Sequence, residues 1–289
     1  MRNNPTGATV IRVDPSNPGQ YFACCGLLEL ADRMFPGASA AFSKREGLFS
    51  FDLRLPTEDA LGVILANLSA CTITSSLTNQ QIVRLKQLLN TNKKTISKLE
   101  ADEKHKLGKL WKREQIRFNE PYNLWVDWWT DNFTGGDAFK TWAGKQFVID
   151  IVRGMQTAFR NAAQRTGPGD LFSVATNDGS LPFYFDSDIG GHSMSMDVGF
   201  SLDALKIRAI TRPAIELLSF IGLQRVRPMA NHTNRTFTYT LWSEQLPPLL
   251  AAVTACGMAP TSSSYHFEFR LLYRTDYLKA FLPAKTKPT

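Results

Sequence analysis

The stretch Thr9-Val10-Ile11-Arg12-Val13-Asp14-Pro15-Ser16-Asn17-Pro18-Gly19-Gln20-Tyr21-Phe22-Ala23-Cys24-Cys25-Gly26-Leu27-Leu28-Glu29-Leu30-Ala31-Asp32-Arg33-Met34-Phe35 decides the fold class. Thr9 to Val13 reads as a short strand, and the Pro/Asn/Gly-rich run Asp14 to Gly19 as a turn. From about Gln20 to Phe35, Phe22, Leu27, Leu30 and Met34 keep a helical spacing, and Pro36-Gly37 closes the helix. Leu48 to Leu55 then alternates Phe49, Phe51, Leu53 and Leu55, as a half-buried strand does, and Thr57 is the expected N-cap of a helix over Ala60 to Leu68. Strand and helix alternate, so the chain is read as α+β, with a mixed sheet core and packed helices.

At 289 residues with 43% hydrophobic content, the chain can bury a sizeable core in one large domain or two ordinary ones. Tyr122 to Trp129 is expected to be a strand and Lys140 to Ala163 a long amphipathic helix carrying Trp142, Phe147, Ile151, Met155 and Phe159 on one side. The Gly/Pro-rich break Thr166-Gly167-Pro168-Gly169 marks the expected boundary between an α+β domain over 1–165 and a second over 166–289. Beyond it the sequence predicts strands at Phe183 to Phe185, Arg235 to Trp242 and Tyr265 to Tyr273, and helices over Pro213 to Ile221 and Leu246 to Ala255. No apolar stretch approaches the ~18 residues of a membrane helix, and Asn3, Asn4 and Pro5 give no secretory core, so a soluble cytoplasmic protein is expected. Cys24, Cys25, Cys71 and Cys256 form no Cys-x2-Cys pair, and the first two read as core residues.

The charge is not evenly spread. The chain carries +7, and the segment from Arg84 to Arg117 holds eleven basic residues against Glu100, Asp102, Glu103 and Glu114, which is itself +7. The remainder is neutral, so this one segment carries the whole imbalance, and a polyanion is the indicated partner. Ile82, Leu85, Leu89, Ile96 and Leu99, then Leu107 and Leu110 after a phase slip, fall at helical spacings. An inserted basic helical hairpin over about 78–118 is therefore expected, with its turn at Asn90-Thr91-Asn92. Lys93, Lys94, Lys98, Lys104, Lys106, Lys109, Lys112, Arg113 and Arg117 are the candidate phosphate contacts. Trp111 is either a ring for a base or a staple to the core. Asn231, His232, Asn234 and Arg235, around Thr233, form a polar loop tip suited to base edges, and equally to an ordinary turn.

Other chemistry is poorly represented. The four histidines are scattered. His192 lies among Asp186, Asp188 and Asp197, but Asp/Gly loops of this kind are more often turns than metal-dependent nuclease sites. Asp127-Trp128-Trp129-Thr130-Asp131 is better explained by tryptophans packing a core. No phosphate-binding Gly-rich loop and no Gly-x-Ser-x-Gly motif is present. The chain is read as no enzyme and as needing no cofactor or metal. The rival reading is a metal-independent RNA-processing ribonuclease using His192, His232 or His266 as acid or base, and a third is a scaffold whose basic arm docks on an acidic protein.

Three phrases carry a resemblance: Asn17-Pro18-Gly19-Gln20-Tyr21-Phe22-Ala23-Cys24-Cys25-Gly26 running on to Arg33, Lys140-Thr141-Trp142-Ala143-Gly144-Lys145-Gln146, and Leu271-Leu272-Tyr273-Arg274-Thr275-Asp276-Tyr277 running on to Pro283. They span nearly the whole chain and resemble the short large-subunit proteins of type I-G CRISPR systems, formerly type I-U. The resemblance implies a non-enzymatic subunit of Cascade, the crRNA-guided surveillance complex, seated at the 5′ handle of the guide. Its implied partners are crRNA, target double-stranded DNA, the Cascade backbone and handle-binding subunits, and a recruited helicase-nuclease, with no membrane. Its implied tasks are recognition of the protospacer-adjacent motif, opening of the duplex and presentation of the R-loop. Larger members of this class end in a helical bundle that contacts the non-target strand. This chain ends in a predicted strand, and a separate small subunit is expected to supply the bundle. The resemblance carries over no motif-reading position; the residues named above come from charge and loop chemistry.

Overall fold

The computed structural model describes residues 7–92, 96–126, 147–163, 170–177, 182–190, 210–259, 265–274 and 277–287. In chain order the elements are β1 (Gly7–Val13), α1 (Pro18–Met34), β2 (Ser39–Arg45), β3 (Leu48–Leu55), α2 (Ala60–Ala70), β4 (Ile73–Ser75), α3 (Asn79–Asn90), α4 (Lys98–Trp111), β5 (Ile116–Phe118), β6 (Leu124–Val126), α5 (Val148–Ala163), α6 (Ser187–Gly190), α7 (Pro213–Arg225), β7 (Met229–Asn231), β8 (Thr236–Thr240), α8 (Pro248–Ala255), β9 (His266–Phe269), β10 (Leu271–Arg274), β11 (Tyr277–Phe281) and β12 (Lys285–Lys287). The class is α+β, as the sequence predicts. The described strands form four antiparallel sheets, ordered β1-β3-β2, β4-β5-β6, β12-β9-β8-β7 and β10-β11.

The helix α1 starts where the turn chemistry places it. Asn17 Oδ1 accepts the Gly19 amide proton at 3.0 Å, and Pro18, which has no amide proton to satisfy, occupies the first turn. Every residue from Pro18 to Ala31 is buried, so α1 has no solvent face and must be covered all round. Its principal cover is α7, which is likewise buried from Pro213 to Leu223. Their backbones touch. A β-carbon on Gly26 would stand 2.0 Å from the Leu218 carbonyl oxygen, and one on Gly222 would stand 2.0 Å from that of Phe22. The Ser219 hydroxyl adds a hydrogen bond to the Gly19 carbonyl at 2.6 Å. Beyond the glycines, Glu29 accepts from Arg225 of α7 and, at 2.8 Å, from Arg33 of α1. The two guanidinium groups hold the buried Glu29 carboxyl below its usual pKa against the opposing effect of burial.

On the other side of α1, aromatic rings fill the gap to the sheets. Tyr21 stacks on Tyr239 of β8 at 4.1 Å and on Phe42 of β2 at 5.5 Å, and its hydroxyl donates to the Thr240 carbonyl at 3.0 Å. The chain leaving β8 then runs along β2, with the Phe42 amide on the Trp242 carbonyl at 2.7 Å and the Ala40 amide on the Leu246 carbonyl at 3.0 Å. The Trp242 indole N–H donates to the Ala40 carbonyl at 2.7 Å. Residues from both sides of position 165 thus enter one hydrophobic interior. The Thr166-Gly167-Pro168-Gly169 break lies outside the described residues.

Several local expectations are corrected. The Phe183 to Phe185 stretch is not a strand: Tyr184 has φ 62°, a left-handed conformation that interrupts extended backbone, and both phenylalanines turn into the core. The helix α2 is capped at Asp59, not Thr57, and Asp59 makes no side-chain cap bond. Cys24 and Cys25 are buried in the core as expected, and burial raises both thiol pKa values.

The glycine crossing yields a stability test. Gly26→Ala or Gly222→Ala should cost at least about 3 kcal/mol, because the new methyl group overlaps backbone that cannot move aside. Gly108→Ala, in α4 with nothing within 4 Å of the added carbon, should instead stabilise by about 0.5–1 kcal/mol. Denaturant midpoints of the three variants check both signs.

Candidate nucleic-acid interface

The basic segment folds as the predicted helical hairpin. Each arm opens on a capping box. Thr78 Oγ1 accepts from the Gln81 amide at 3.2 Å while Gln81 returns to the Thr78 amide at 2.9 Å, and Ser97 and Glu100 repeat the exchange at 3.3 and 3.1 Å. The arms meet through Ile82, Leu85 and Leu88 of α3, with Leu107 of α4 packed against the core. The expected phase slip has a physical cause. Leu99 and Leu110 are exposed, so the packed face of α4 is set by Leu107 and Trp111, one helical turn apart. Trp111 is 6% exposed and packs on Phe147 at 4.9 Å; it is the staple and offers no ring to a base.

Ionic contacts sort the charges of this segment by side. Glu103 takes three hydrogen bonds from the Arg84 guanidinium, the shortest at 2.7 Å, and Glu100 lies 3.8 Å from the same group. Both carboxyls are held below their ordinary range, Glu103 by Arg84 and Glu100 first by the Ser97 amide. Lys86 bonds Asp150 of α5 at 2.6 Å and lies over the Phe147 ring. Lys104 turns inward and donates to the Leu88 carbonyl at 3.0 Å, and Arg117 donates to Asn123 Oδ1 at 2.9 Å. These four cations are engaged by the protein itself. Lys98, Lys106 and Lys109 stand on the solvent face of α4, opposite Leu107 and Trp111, and exposed Lys112 and Arg113 follow the last turn. Of the segment's four carboxylates, Asp102 alone shares that face. Lys93 and Lys94 lie outside the described residues.

Glu114 completes the sorting by being buried. It accepts from Ser75 Oγ of β4 at 2.6 Å, while its second oxygen has no hydrogen-bond partner among the described residues. Burial pushes its pKa up to about 7, so near neutrality the carboxyl keeps its proton about half the time.

The other predicted cluster sits on a different sheet. Asn231 ends β7, and His232 to Arg235 form the turn into β8, so the loop tip is the end of a β-hairpin. Asn231 Oδ1 accepts the Asn234 amide at 3.1 Å and Arg235 adopts φ 51°, both devices of turn closure. His232, Asn234 and Arg235 are exposed. The structure therefore divides the predicted residues into an outer α4 face, Lys104 turned inward, Arg117 on the outer face of β5 beside Trp125, and a hairpin tip in the β12-β9-β8-β7 sheet.

The acidic region near His192 has a structural explanation in part. Asp186 is buried, accepts from Asn17 Nδ2 at 2.7 Å and from Arg212 at 3.3 Å, and so ties the start of α1 to the start of α7. Its neighbour Glu216 accepts the Asp186 amide at 3.0 Å, and its pKa is pushed up by burial to about 8. His192, Asp197 and the Asp127 to Asp131 group lie outside the described residues. His266 Nδ1 is bonded to Thr240 Oγ1 at 2.9 Å. Among the described residues no group of three or more His, Cys, Asp or Glu side chains could hold a metal ion, and no helix is long and apolar enough to cross a membrane.

No protein-family model, curated protein or solved structure matches the chain. Function is therefore read from the surface itself. Sequence reasoning missed one feature of it, the exposed Trp125 on β6, which lies within the run read as a strand. Its exposure depends on the register of β5 and β6, which three-residue strands do not announce.

Glu114 makes the hairpin's attachment pH-dependent. In the unfolded chain it ionises near the ordinary glutamate value of 4.5, whereas the folded protein retains the proton until about pH 7. Between those values the unfolded chain binds fewer protons, so this contribution to stability is full at low pH and is lost as pH rises, by on the order of 3 kcal/mol. Urea titrations at several pH values should show a shallower decline for Glu114→Gln than for the native chain. Equal declines would show that this carboxyl ionises alike in both states.

Proposed function

We propose that the chain is a non-catalytic nucleic-acid-binding subunit of a crRNA-guided CRISPR surveillance complex. In this reading the outer face of α4 holds the phosphates of the target or displaced strand through Lys98, Lys106 and Lys109, with Lys112 and Arg113 beyond its last turn. The tip formed by Asn231, His232, Asn234 and Arg235 contacts base edges of the protospacer-adjacent motif, where Asn suits adenine and Arg suits guanine. Base pairing with the guide reads the target, and a separate helicase-nuclease cuts it.

The observation that carries the reading is the sorting of charge. Glu100 and Glu103 pair with Arg84 across the arms and Glu114 is buried, while Lys98, Lys106 and Lys109 of α4 face water. A solvated helix without a polyanionic partner is expected to pair its lysines with carboxylates at i,i+4 spacing. Here Glu100 and Glu103 are paired with Arg84 and Glu114 is buried, which leaves a positive surface that favours polyphosphate. The resemblance in sequence supplies the CRISPR context.

Binding of labelled duplex DNA, measured by anisotropy across salt concentrations, tests the assignment. The triple variant Lys106→Glu, Lys109→Glu, Arg113→Glu should make the log-log salt slope shallower by about 0.9 for each phosphate that is no longer neutralised. An unaltered slope removes α4 from the interface. The same titration with Lys104→Gln should leave the slope close to native, because that ammonium is bonded to Leu88.

A further inference from the structure

The three strands β4, β5 and β6 alternate sides so that Ile73, Phe118 and Leu124 pair across the buried face, while Thr74, Arg117 and Trp125 pair in register across the other. The outer row is unusual for this protein. Of the tryptophans among the described residues, Trp111 and Trp242 are buried, whereas Trp125 is 48% exposed. The Arg117 guanidinium carbon stands 5.4 Å from the Trp125 ring centroid, within cation–π range. Its plane is positioned from the side: Asn123 Oδ1 takes a guanidinium proton at 2.9 Å, and Asn123 Nδ2 donates to Glu120 at 2.6 Å. An indole whose partner cation is already oriented has little conformational freedom left to lose when a third flat group arrives.

The row is also close to the cationic face of α4. Arg113 precedes Arg117 by four residues, which limits their separation to about 14 Å even in fully extended chain. We infer that Trp125, framed by Arg117, is a stacking site for an unpaired nucleobase of a single strand whose phosphates lie along α4. This deepens the phosphate-binding reading and rests on it. The occupant is a single strand because a base paired in a duplex keeps its faces against its neighbours and cannot offer one to a protein ring. Charge complementarity with α4 selects a nucleic acid over a neutral or acidic partner for this face. A displaced DNA strand and a guide RNA present the same chemistry here, an exposed base face beside a phosphate.

The full chain is titrated with labelled oligothymidylate, oligouridylate and an abasic strand of equal length. Trp125→Ala should weaken oligothymidylate or oligouridylate by about 5- to 150-fold, the range of a single base–aromatic stack, and leave the abasic strand unchanged. Trp125→Phe should retain most of the native affinity, and its melting curve guards against a folding defect. A loss on one base-bearing strand alone supports the site and assigns its strand. If native protein binds the abasic strand but Trp125→Ala leaves both base-bearing strands at native affinity, or weakens all three strands equally, the stacking site is overturned and the phosphate reading stands. If native protein does not bind the abasic strand, both readings fall.

Discussion

Two helices without side chains at their crossing organise this protein. Because Gly26 and Gly222 remove the β-carbons where α1 meets α7, the backbones approach to direct contact, and the apolar residues on either side of the glycines can bury fully. Close packing of this kind is sensitive to a single methyl group. It also fixes the polar groups at both ends. Asn17, Asp186 and Arg212 join the helix starts, and Glu29 with Arg33 and Arg225 joins the opposite ends. Each is a buried or half-buried group whose partners satisfy it, so the crossing is specified by polar geometry as well as by shape.

The basic hairpin is a separate construction with its own logic. Its arms close on Ile82, Leu85 and Leu88, and its attachment runs through Trp111 on Phe147, Lys86 on Asp150 and Ser75 on Glu114. Packing and electrostatics act together here. The contacts that fasten the hairpin also bury Glu114, while Lys98, Lys106 and Lys109 of α4 stay outside. The strand β5 continues directly from this hairpin, so the exposed row of Thr74, Arg117 and Trp125 is a neighbour of the cationic face by chain connectivity.

Much of this was legible in the sequence, and the remainder was not for identifiable reasons. The helix α1 and the strand β3 declared themselves through capping residues and alternation, and the hairpin through its charge and its Asn90-Thr91-Asn92 turn. The strand β2 did not, because Ala40 and Ala41 are too small to mark alternation and its burial depends on Trp242 and Leu246 arriving from the far end of the chain. The three-residue strands β4 and β5 are too short to show a period. At the interface, residue types were readable but directions were not. Lys104 and Lys106 are indistinguishable in sequence, yet one bonds Leu88 and the other faces water. Trp111 and Trp125 exchange roles in the same way: the tryptophan inside the basic segment serves the core, and the one beyond it is exposed.

The pairing of α1 with α7 also bears on how the chain is made. The helix α1 is buried from Pro18 to Ala31, while its partner follows about 180 residues later, or roughly 10–40 s at ordinary elongation rates. Throughout that interval the nascent polypeptide displays a greasy cylinder with no native surface to receive it. The buried surface of α1 therefore stays without its native cover until translation delivers α7.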